Sequence, residues 1–589
     1  MIISKKMTTK LDLVKKMGLC PSILNLYVDR YSFKFLLNDI LAGIKMFLFL
    51  FPVAFALSYF CGASPIQGII SCAIGALISA IFGGSKYQII SISLPVCLVT
   101  FEILSKYQYK GLFYTAVFVS LLLILFGFSK ISNVIKHLSH AFVSALAVYV
   151  IISIMIIQIP FLLGINSIQS SQSLIENFSI FSSSFDNITQ SGIISALIFI
   201  VPLFFIKLFF KGFAAFPIYL VLCGGFVYLS DIGILPNWID LRTFGKEMIT
   251  NGTIDNIRTL TNSGSSQIFL ANTLNYAFII SIIIACESSF CTNVSSSITG
   301  DTRIQHNIEL ISDGVSNFAS IACGGLFISP NTNLSIKNIE LKSKTILSAI
   351  IITFLSLIFL LYNYEILNLI PINAVTSILV VYAFCELKNK RIFQYFNIKS
   401  SNSYIFWMTL IIAIYFGFTP ATIVGFTLSC IIFANRMVKI KDATVHTTKN
   451  HDTGAIEFMT NKNGFANSLN IPENILDKIE VVQITNVLFL NIAKVVEEAL
   501  LARGKFPSIL LIYFNNVPYL DTEAFEILKQ VVKNAKEEGA IVMITGTNGR
   551  LLDILKEKAD SEKNKNVYGY IIPNFEEAIK QVVHRMNGN

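Results

Sequence analysis

Up to Arg436 the chain is a succession of long apolar runs separated by short polar stretches. Beyond Arg436 the runs stop and short alternating patterns take over. Gly111–Phe128, "GLFYTAVFVSLLLILFGF", holds no charged residue. About 20 such residues cross a hydrocarbon core as a helix. The pattern predicts spans near 38–60, 65–82, 90–105, 111–128, 134–160, 192–210 and 214–231. A second set follows near 274–293, 308–324, 329–340, 343–362, 368–386, 402–418 and 420–436. Residues 1–37 form a basic, partly amphipathic lead. Loops 165–191 and 232–272 are rich in Ser, Asn and Asp.

Two predicted segments are weak, and they hold the third place in each set of seven. The first reads "FGGSKYQIISISLPVC", with Gly83 and Gly84 ahead of Ser93 and Pro95. The second reads "CGGLFISPNTNLS", with Gly324 and Gly325 ahead of Ser329 and Pro330. Short segments broken by Gly and Pro at corresponding places in two halves point to an inverted-repeat transporter.

In the last part, 481–491, 507–514, 540–546 and 567–573 read as strands. Between and after them, 492–502, 522–539 and 574–586 read as helices with apolar residues at i, i+3 and i+4. The organisation is therefore 1–37 as a cytoplasmic lead, 38–436 as a membrane domain, and 437–589 as a linker and small α/β domain.

Composition agrees. Of 589 residues, 54% are hydrophobic and 14% are charged, and mean hydropathy is +0.66. A soluble domain of that size carries far more charge. The formal net charge of +9 points to a membrane and not to nucleic acid, because of where it lies. Every second loop is basic: Lys86; Lys130 and Lys136; Lys207 and Lys211; Arg303; Lys337, Lys342 and Lys344; Lys388, Lys390, Arg391 and Lys399. Lys106 and Lys110 are the clearest exception. This positive-inside pattern puts both termini in the cytoplasm, and Ile-, Lys- and Asn-rich usage suggests an AT-rich bacterium and so an inner membrane. No cleavable signal peptide is evident. Ten cysteines are scattered without a C-x-x-C pair, which argues against a disulfide framework and a zinc site. No nucleophile–base pair is recognisable, so an enzyme is not expected.

Candidate chemistry lies at the broken segments and at one acid. A helix that starts inside the bilayer points unpaired backbone N–H groups, and the positive end of its dipole, into a cavity. Two such ends facing each other make an anion site without a cationic side chain. The expected anion position lies between Ser93, Leu94, Pro95 and Val96 on one side and Asn331, Thr332 and Asn333 on the other. Glu287 sits inside the apolar run Leu274–Phe290. An ionisable group at a helix centre costs about 2.5–3.5 kcal/mol on insertion scales and is kept where it has a function. Here it is expected to take up a proton or, beside two helix N-termini, to hold Na⁺. Ser288, Ser289, Thr292 and Asn293 extend a polar stripe from it. Glu102, His137 and His140, at predicted span ends, read as solvated or headgroup-level residues.

These residues resemble the SulP anion transporter family, from about residue 38 to the C-terminus. The resemblance rests on "NDILAGIKMFLFLFPVAFAL" with Asp39, Ala42, Gly43 and Pro52, on "IFGGSKYQI", and on "ESSFCTNVSSSITGDTRIQHNIELISDGVSNFASIACGG". The C-terminal part resembles a STAS domain, with "NNVPYLDTEAFEIL" in the place of that domain's Asp-Ser/Thr-x-Gly loop. The resemblance implies a polytopic helical protein of fourteen segments in two inverted seven-segment repeats, a core domain moving against a gate domain, a cytoplasmic STAS domain, and a homodimer. The STAS domain implies a regulatory protein as a further partner.

Departures from the family pattern bear on the site. Val53 and Leu57 replace a Gln and an aromatic that flank the anion in many members. Cys291 stands where sodium-coupled bicarbonate members carry a hydroxyl, with Thr292 next to it. In "PNTNL", Leu334 takes the usual place of an Arg. In the STAS loop Glu523 and Ala524 replace the phosphorylated Ser and the Gly, and Thr522 remains as an acceptor.

The expected function is secondary active transport of a small anion, sulfate or a similar oxyanion, with H⁺ or Na⁺ coupled at Glu287 and no other cofactor. Bicarbonate or dicarboxylate transport, uncoupled exchange or an anion channel, and a membrane sensor acting through STAS are the alternatives. A nucleobase permease shares the architecture but lacks the C-terminal domain.

Overall fold

The structure is a computed structural model. In the membrane part it describes residues 33–129, 131–135, 138–163, 174–183, 190–209, 215–232, 267–299, 305–362, 370–388 and 401–445. In the C-terminal part it describes 456–458, 479–485, 509–515, 522–537, 539–546 and 570–572, with a few single positions besides.

The apolar runs are helices: α1 Phe33–Phe60, α2 Pro65–Phe82, α3 Leu94–Phe128, the short α4 Ser132–Ile135, α5 Ala141–Leu162, α6 Leu174–Ser183, α7 Gln190–Phe209 and α8 Ala215–Asp231. After these come α9 Gln267–Thr299, α10 His306–Ala322, α11 Thr332–Glu340, α12 Leu347–Tyr362, α13 Ile372–Leu387, α14 Ser401–Phe416 and α15 Phe418–Val445. Helices suit these runs because a backbone in lipid has to pair its own N–H and C=O groups. Seven described helices are long and apolar enough to cross a membrane, and four more are apolar but shorter.

Two expectations are refined. The segments predicted at 90–105 and 111–128 are two helices that follow one another without a loop within α3, on either side of a kink at Gln108, where φ is 53° and ψ −162°. The third and tenth segments also do not begin as helix. Each starts as a two-residue strand, β1 Ile90–Ser91 and β2 Ser329–Pro330. Proline explains both extended starts. Pro95 lies in the first turn of α3, where its missing N–H costs nothing. Pro330 cannot continue a helix and holds Ser329 extended.

The described membrane helices pack in two groups. In the first, α10 lies on α3 and α2, α9 on α3 and α11, and α12 on α1 and α2. In the second, α13 and α14 lie on α5, and α13 also lies on α7. Contacts of α13 with α1 join the groups. Small residues let the first group close up. A Cβ at Gly68 would stand 2.4 Å from the Ala54 carbonyl oxygen, and one at Gly43 2.8 Å from the Ile351 side chain. The helix that carries Glu287 is the central one: 83% of the α9 window is buried, against 28% for α7. On α7, Leu197, Phe204, Phe205, Leu208 and Phe209 face outward, as residues in contact with lipid tails do.

The chain divides into two compact units, Met1–Ile432 and Phe433–Asn589. The second holds a five-stranded sheet in the order β3 Ile456–Phe458, β4 Ile479–Thr485, β5 Ile509–Asn515, β6 Ile541–Thr545, β7 Tyr570–Ile572. β3 is antiparallel to β4, and the others are parallel, with Ile512 opposite both Val482 and Ile544. Consecutive residues Ile509 to Ile512 are all buried, as in a parallel strand covered on both faces. Helix α16 (Thr522–Glu537) lies between β5 and β6 in sequence. The loop 516–521 and the predicted helix 492–502 lie outside the described residues, as do loops 233–266 and His137.

Candidate functional site

The site is built where the two broken segments meet. β1 and β2 pair antiparallel, Ile90 opposite Pro330 and Ser91 opposite Ser329. The backbone N–H of Asn331 extends the pair by donating to the Ile89 carbonyl at 3.0 Å. Because the strands run in opposite directions, α3 and α11 leave the pair in opposite senses with their N-terminal ends against it. Ser93 caps α3 with extended φ/ψ of −97° and 154°. Asn331 caps α11, and its side chain accepts from the Leu334 N–H at 3.2 Å. Most of the remaining first-turn N–H groups have no acceptor within their own helix.

Glu287 comes to this junction from the middle of α9 and is 9% exposed. Ser329, on β2, donates its hydroxyl to Glu287 Oε2. The Ser93 hydroxyl also lies beside that carboxylate, but it is buried and makes no hydrogen bond of full geometry. One acid is thus held between the starts of both half-helices.

Buried polar side chains fix the two extended runs, and each run is braced in part by helices from the other half of the chain. The run before β1 is held by α10 and α11. Glu309 accepts from the Ser85 N–H, Asn338 donates to the Tyr87 carbonyl at 3.1 Å, and Ser335 accepts from the Ile89 N–H at 3.0 Å. The run before β2 is held by α2 and α10. Gln67 donates to the Gly324 carbonyl at 2.9 Å, and Ser71 accepts from the Leu326 N–H at 2.7 Å. Asn317 pairs both backbone groups of Ile328 at 2.9 Å each, while Tyr109 donates to the Ile321 and Gly325 carbonyls. Gly325 is required here, since a Cβ would meet the Ser71 and Ser320 hydroxyls at 2.7 and 2.6 Å. Without these partners the peptide groups would be orphaned in an apolar interior.

Of the residues singled out from sequence, Ser93, Leu94, Pro95, Val96, Asn331, Thr332 and Glu287 gather at the junction. Others do not. Asn333 turns to a different carboxylate, donating to Glu386 Oε2 at 2.6 Å. Cys291 lies one turn beyond Glu287 and contacts the Ser335 hydroxyl at 3.2 Å. The Thr292 hydroxyl bonds the Ser288 and Ser289 carbonyls, with His306 Nδ1 at 2.6 Å. Val53 and Leu57 are buried on α1, where the Leu57 carbonyl lies 3.5 Å from Cys97 Sγ on α3. Glu102 lies by Lys106 and Tyr276, and His140 packs edge-on to Phe290 with ring centroids 3.8 Å apart.

Sequence reading missed Ser329 as a ligand of Glu287, because serines are common throughout these segments. It also missed Asp313, buried on α10 beside Glu309 and Ser288, and Glu386 with its partners. Asp313 carried the same signal as Glu287, a carboxylate inside a segment read as a span, whereas Glu386 stands at the end of one.

Residues 36–409 match the sulfate permease family, and the chain belongs to that family. It is 22% identical over 537 residues to the putative sulfate transporter YvdB of Bacillus subtilis, covering 89% of this chain and 94% of that protein. To the bicarbonate transporter BicA of Synechocystis it is 20% identical over 540 residues, covering 89% and 90%. Among solved structures, the murine anion transporter Slc26a9 in its inward-facing state superposes with a TM-score of 0.60 at 14% identity, covering 97% of this chain and 94% of that one. The transmembrane domain of BicA gives 0.54 at 19% identity, covering 67% and 98%. The fold is that of these transporters, and the protein is a polytopic anion transporter.

Proposed function

We propose that this member of the sulfate permease family is a secondary active transporter of sulfate or a similar small oxyanion. The anion binds at the N-terminal ends of α3 and α11, and Glu287 carries the coupling ion. The observation that supports this is the placement of Glu287 at the paired strands β1 and β2, bonded by Ser329 and flanked by Ser93. Helix N-terminal N–H groups favour an anion, and a carboxylate beside them disfavours it unless a cation is bound to the acid. Anion and cation are thereby linked, which is the requirement for symport. A proton satisfies the acid with fewest ligands. Cys291 and Thr292 are both engaged elsewhere, which supports H⁺ over Na⁺.

The remaining parts of the reading follow the family. The segments form two inverted repeats, the C-terminal unit is a cytoplasmic STAS domain that meets a regulatory partner, and the transporter is a homodimer in a bacterial inner membrane. The parallel order β4-β5-β6-β7 with a helix after β5 supports an α/β module of that kind. Bicarbonate is the second substrate reading, supported by the similarity to BicA over nearly the whole chain.

Uptake of radiolabelled sulfate, bicarbonate and succinate into proteoliposomes, with and without a proton or sodium gradient, tests this. Sulfate uptake is expected to rise with an inward proton gradient, and Glu287→Gln is expected to abolish that dependence. Uptake indifferent to both gradients in the native chain, and unchanged in Glu287→Gln, would sink the coupling claim.

A further inference from the structure

A second cluster of polar groups lies where α11 meets the other helix group. Glu386, on the last turn of α13, accepts from Asn333 Nδ2 at 2.6 Å. The Tyr382 hydroxyl lies within hydrogen-bonding reach of both Glu386 and the Asn331 side chain. Lys337 on α11 and Lys207 on α7 both act on the same carboxylate. Lys337 Nζ stands 3.8 Å over the Phe49 ring on α1, and Lys207 Nζ stands 5.2 Å over the Phe216 ring on α8 while contacting Cys385 Sγ. Glu340, on the exposed end of α11, also acts on Lys337. One carboxylate thus takes an amide donor and a phenol, with two ammonium groups near enough to act on it through their charge, from three helices.

Two features set this apart from a structural ion pair. Its members straddle the two helix groups: Asn333 and Lys337 belong to one, and Lys207, Tyr382 and Glu386 to the other. It is also not sealed into the core, because Asn333, Lys337, Lys207 and Glu386 are each only partly buried. Position adds a third argument. Asn333 is in the first turn of α11, directly after Thr332 at the crossed ends, and Lys337 is about one turn, ~6 Å, further along the same helix. An anion leaving the helix ends along α11 meets these groups next. A carboxylate presents negatively charged acceptor oxygens, as a small oxyanion does, so N–H and O–H donors that serve one serve the other.

We propose that Asn333, Lys337 and Lys207 form a second site for the transported anion, and that Glu386 fills it in the present conformation as a tethered carboxylate. An anion arriving at this site displaces Glu386 and releases the bond between α11 and α13, so that occupancy and the relation of the two helix groups change together. This rests on the reading of the protein as a transporter of small oxyanions.

The test is uptake kinetics of the full chain in proteoliposomes with sulfate, bicarbonate and chloride, beside a thermal-shift titration of the purified protein with sodium sulfate. Glu386→Gln keeps the shape and removes the internal competitor. It is expected to lower KM for the transported anion at least ~3-fold, and to move the sulfate midpoint the same way. Lys337→Gln is expected to raise KM roughly 10-fold, as loss of a charge-assisted contact does, with Lys337→Arg returning it close to the native value. If Lys337→Gln fails to give a monodisperse protein, Lys207→Gln replaces it, with the same direction expected. A KM unchanged or raised in Glu386→Gln, with only Vmax lowered in the lysine variants, overturns the proposal and leaves a structural ion pair. A native chain that neither transports nor binds any of the three anions overturns the substrate reading itself, a result distinct from a native chain that works with variants that do not shift.

Discussion

Glu287 and Glu386 are both single acids in apolar helices, but their partners differ in kind. Glu287 meets hydroxyls, Ser329 and Ser93, while Glu386 meets an amide and a phenol within the field of two ammonium groups. The first arrangement suits an acid that exchanges a small cation, and the second suits a carboxylate that occupies a site built for an anion. The two serines are not equivalent, since Ser329 makes a full hydrogen bond and Ser93 does not. A net hydrogen bond contributes about 1 kcal/mol, and losing a buried partner costs about 1–3 kcal/mol. Ser329→Ala is therefore expected to slow gradient-driven uptake roughly tenfold, and Ser93→Ala less than about threefold. Initial rates at one subsaturating concentration decide it, and equal losses would show that both hydroxyls serve the acid alike. Glu287 was legible in the sequence because a lone carboxylate in a greasy run has few explanations. Glu386 was not, because at a span end a solvated acid is the default, and only the fold brings Lys337, Lys207 and Asn333 to it.

At the scale of elements, the half-helices were legible and their bracing was not. Gly-Gly followed by Ser-Pro marks a chain that cannot stay helical, and the structure starts α3 and α11 just after β1 and β2. The expected spans at 90–105 and 111–128 are the two helices of α3, which follow one another without a loop because Gln108, with φ 53° and ψ −162°, interrupts the helix at a single residue; sequence patterns do not mark such a φ at a non-glycine residue. What holds the extended runs is side chains of packed helices: Asn317 on Ile328, 11 positions away, and Ser71 on Leu326 and Glu309 on Ser85 across the chain. Such contacts join residues up to 255 positions apart, and no local pattern records them. Asn317 partners both the N–H and the C=O of one residue, as a neighbouring strand would, and Ser71 partners a single N–H. Asn317→Leu is accordingly expected to destabilise the purified protein by about 2–4 kcal/mol and Ser71→Ala by about half as much. Thermal denaturation in detergent, read by intrinsic fluorescence, checks the ratio. A larger loss in Ser71→Ala would mean that Asn317 is not the main brace.

At the scale of the whole molecule, charge and burial make one joint claim about orientation. Basic residues cluster in alternate loops, with Lys86 after α2, Lys342 and Lys344 after α11, and Lys388 after α13. The positive-inside rule predicts that these loops face the cytoplasm. The intervening turn that starts at Cys323, between α10 and β2, is then expected to open outward. The cysteines of the described residues make that testable without introducing new ones. Cys61, Cys72, Cys97, Cys223, Cys286 and Cys291 are buried, Cys385 and Cys430 are partly so, and Cys323 is exposed. Burial withholds a thiol from reagent, whereas an exposed one reacts. A membrane-impermeant maleimide is expected to label the protein in right-side-out spheroplasts, and Cys323→Ser is expected to remove that label. Inside-out vesicles of the native chain should leave Cys323 unlabelled until detergent is added. Labelling of Cys323 in inside-out vesicles alone would invert the orientation. It would also move the Lys337–Glu386 cluster from the cytoplasmic end of α11 to the outer one. An anion taken up from outside would then meet the second site first, and the crossed helix ends afterwards.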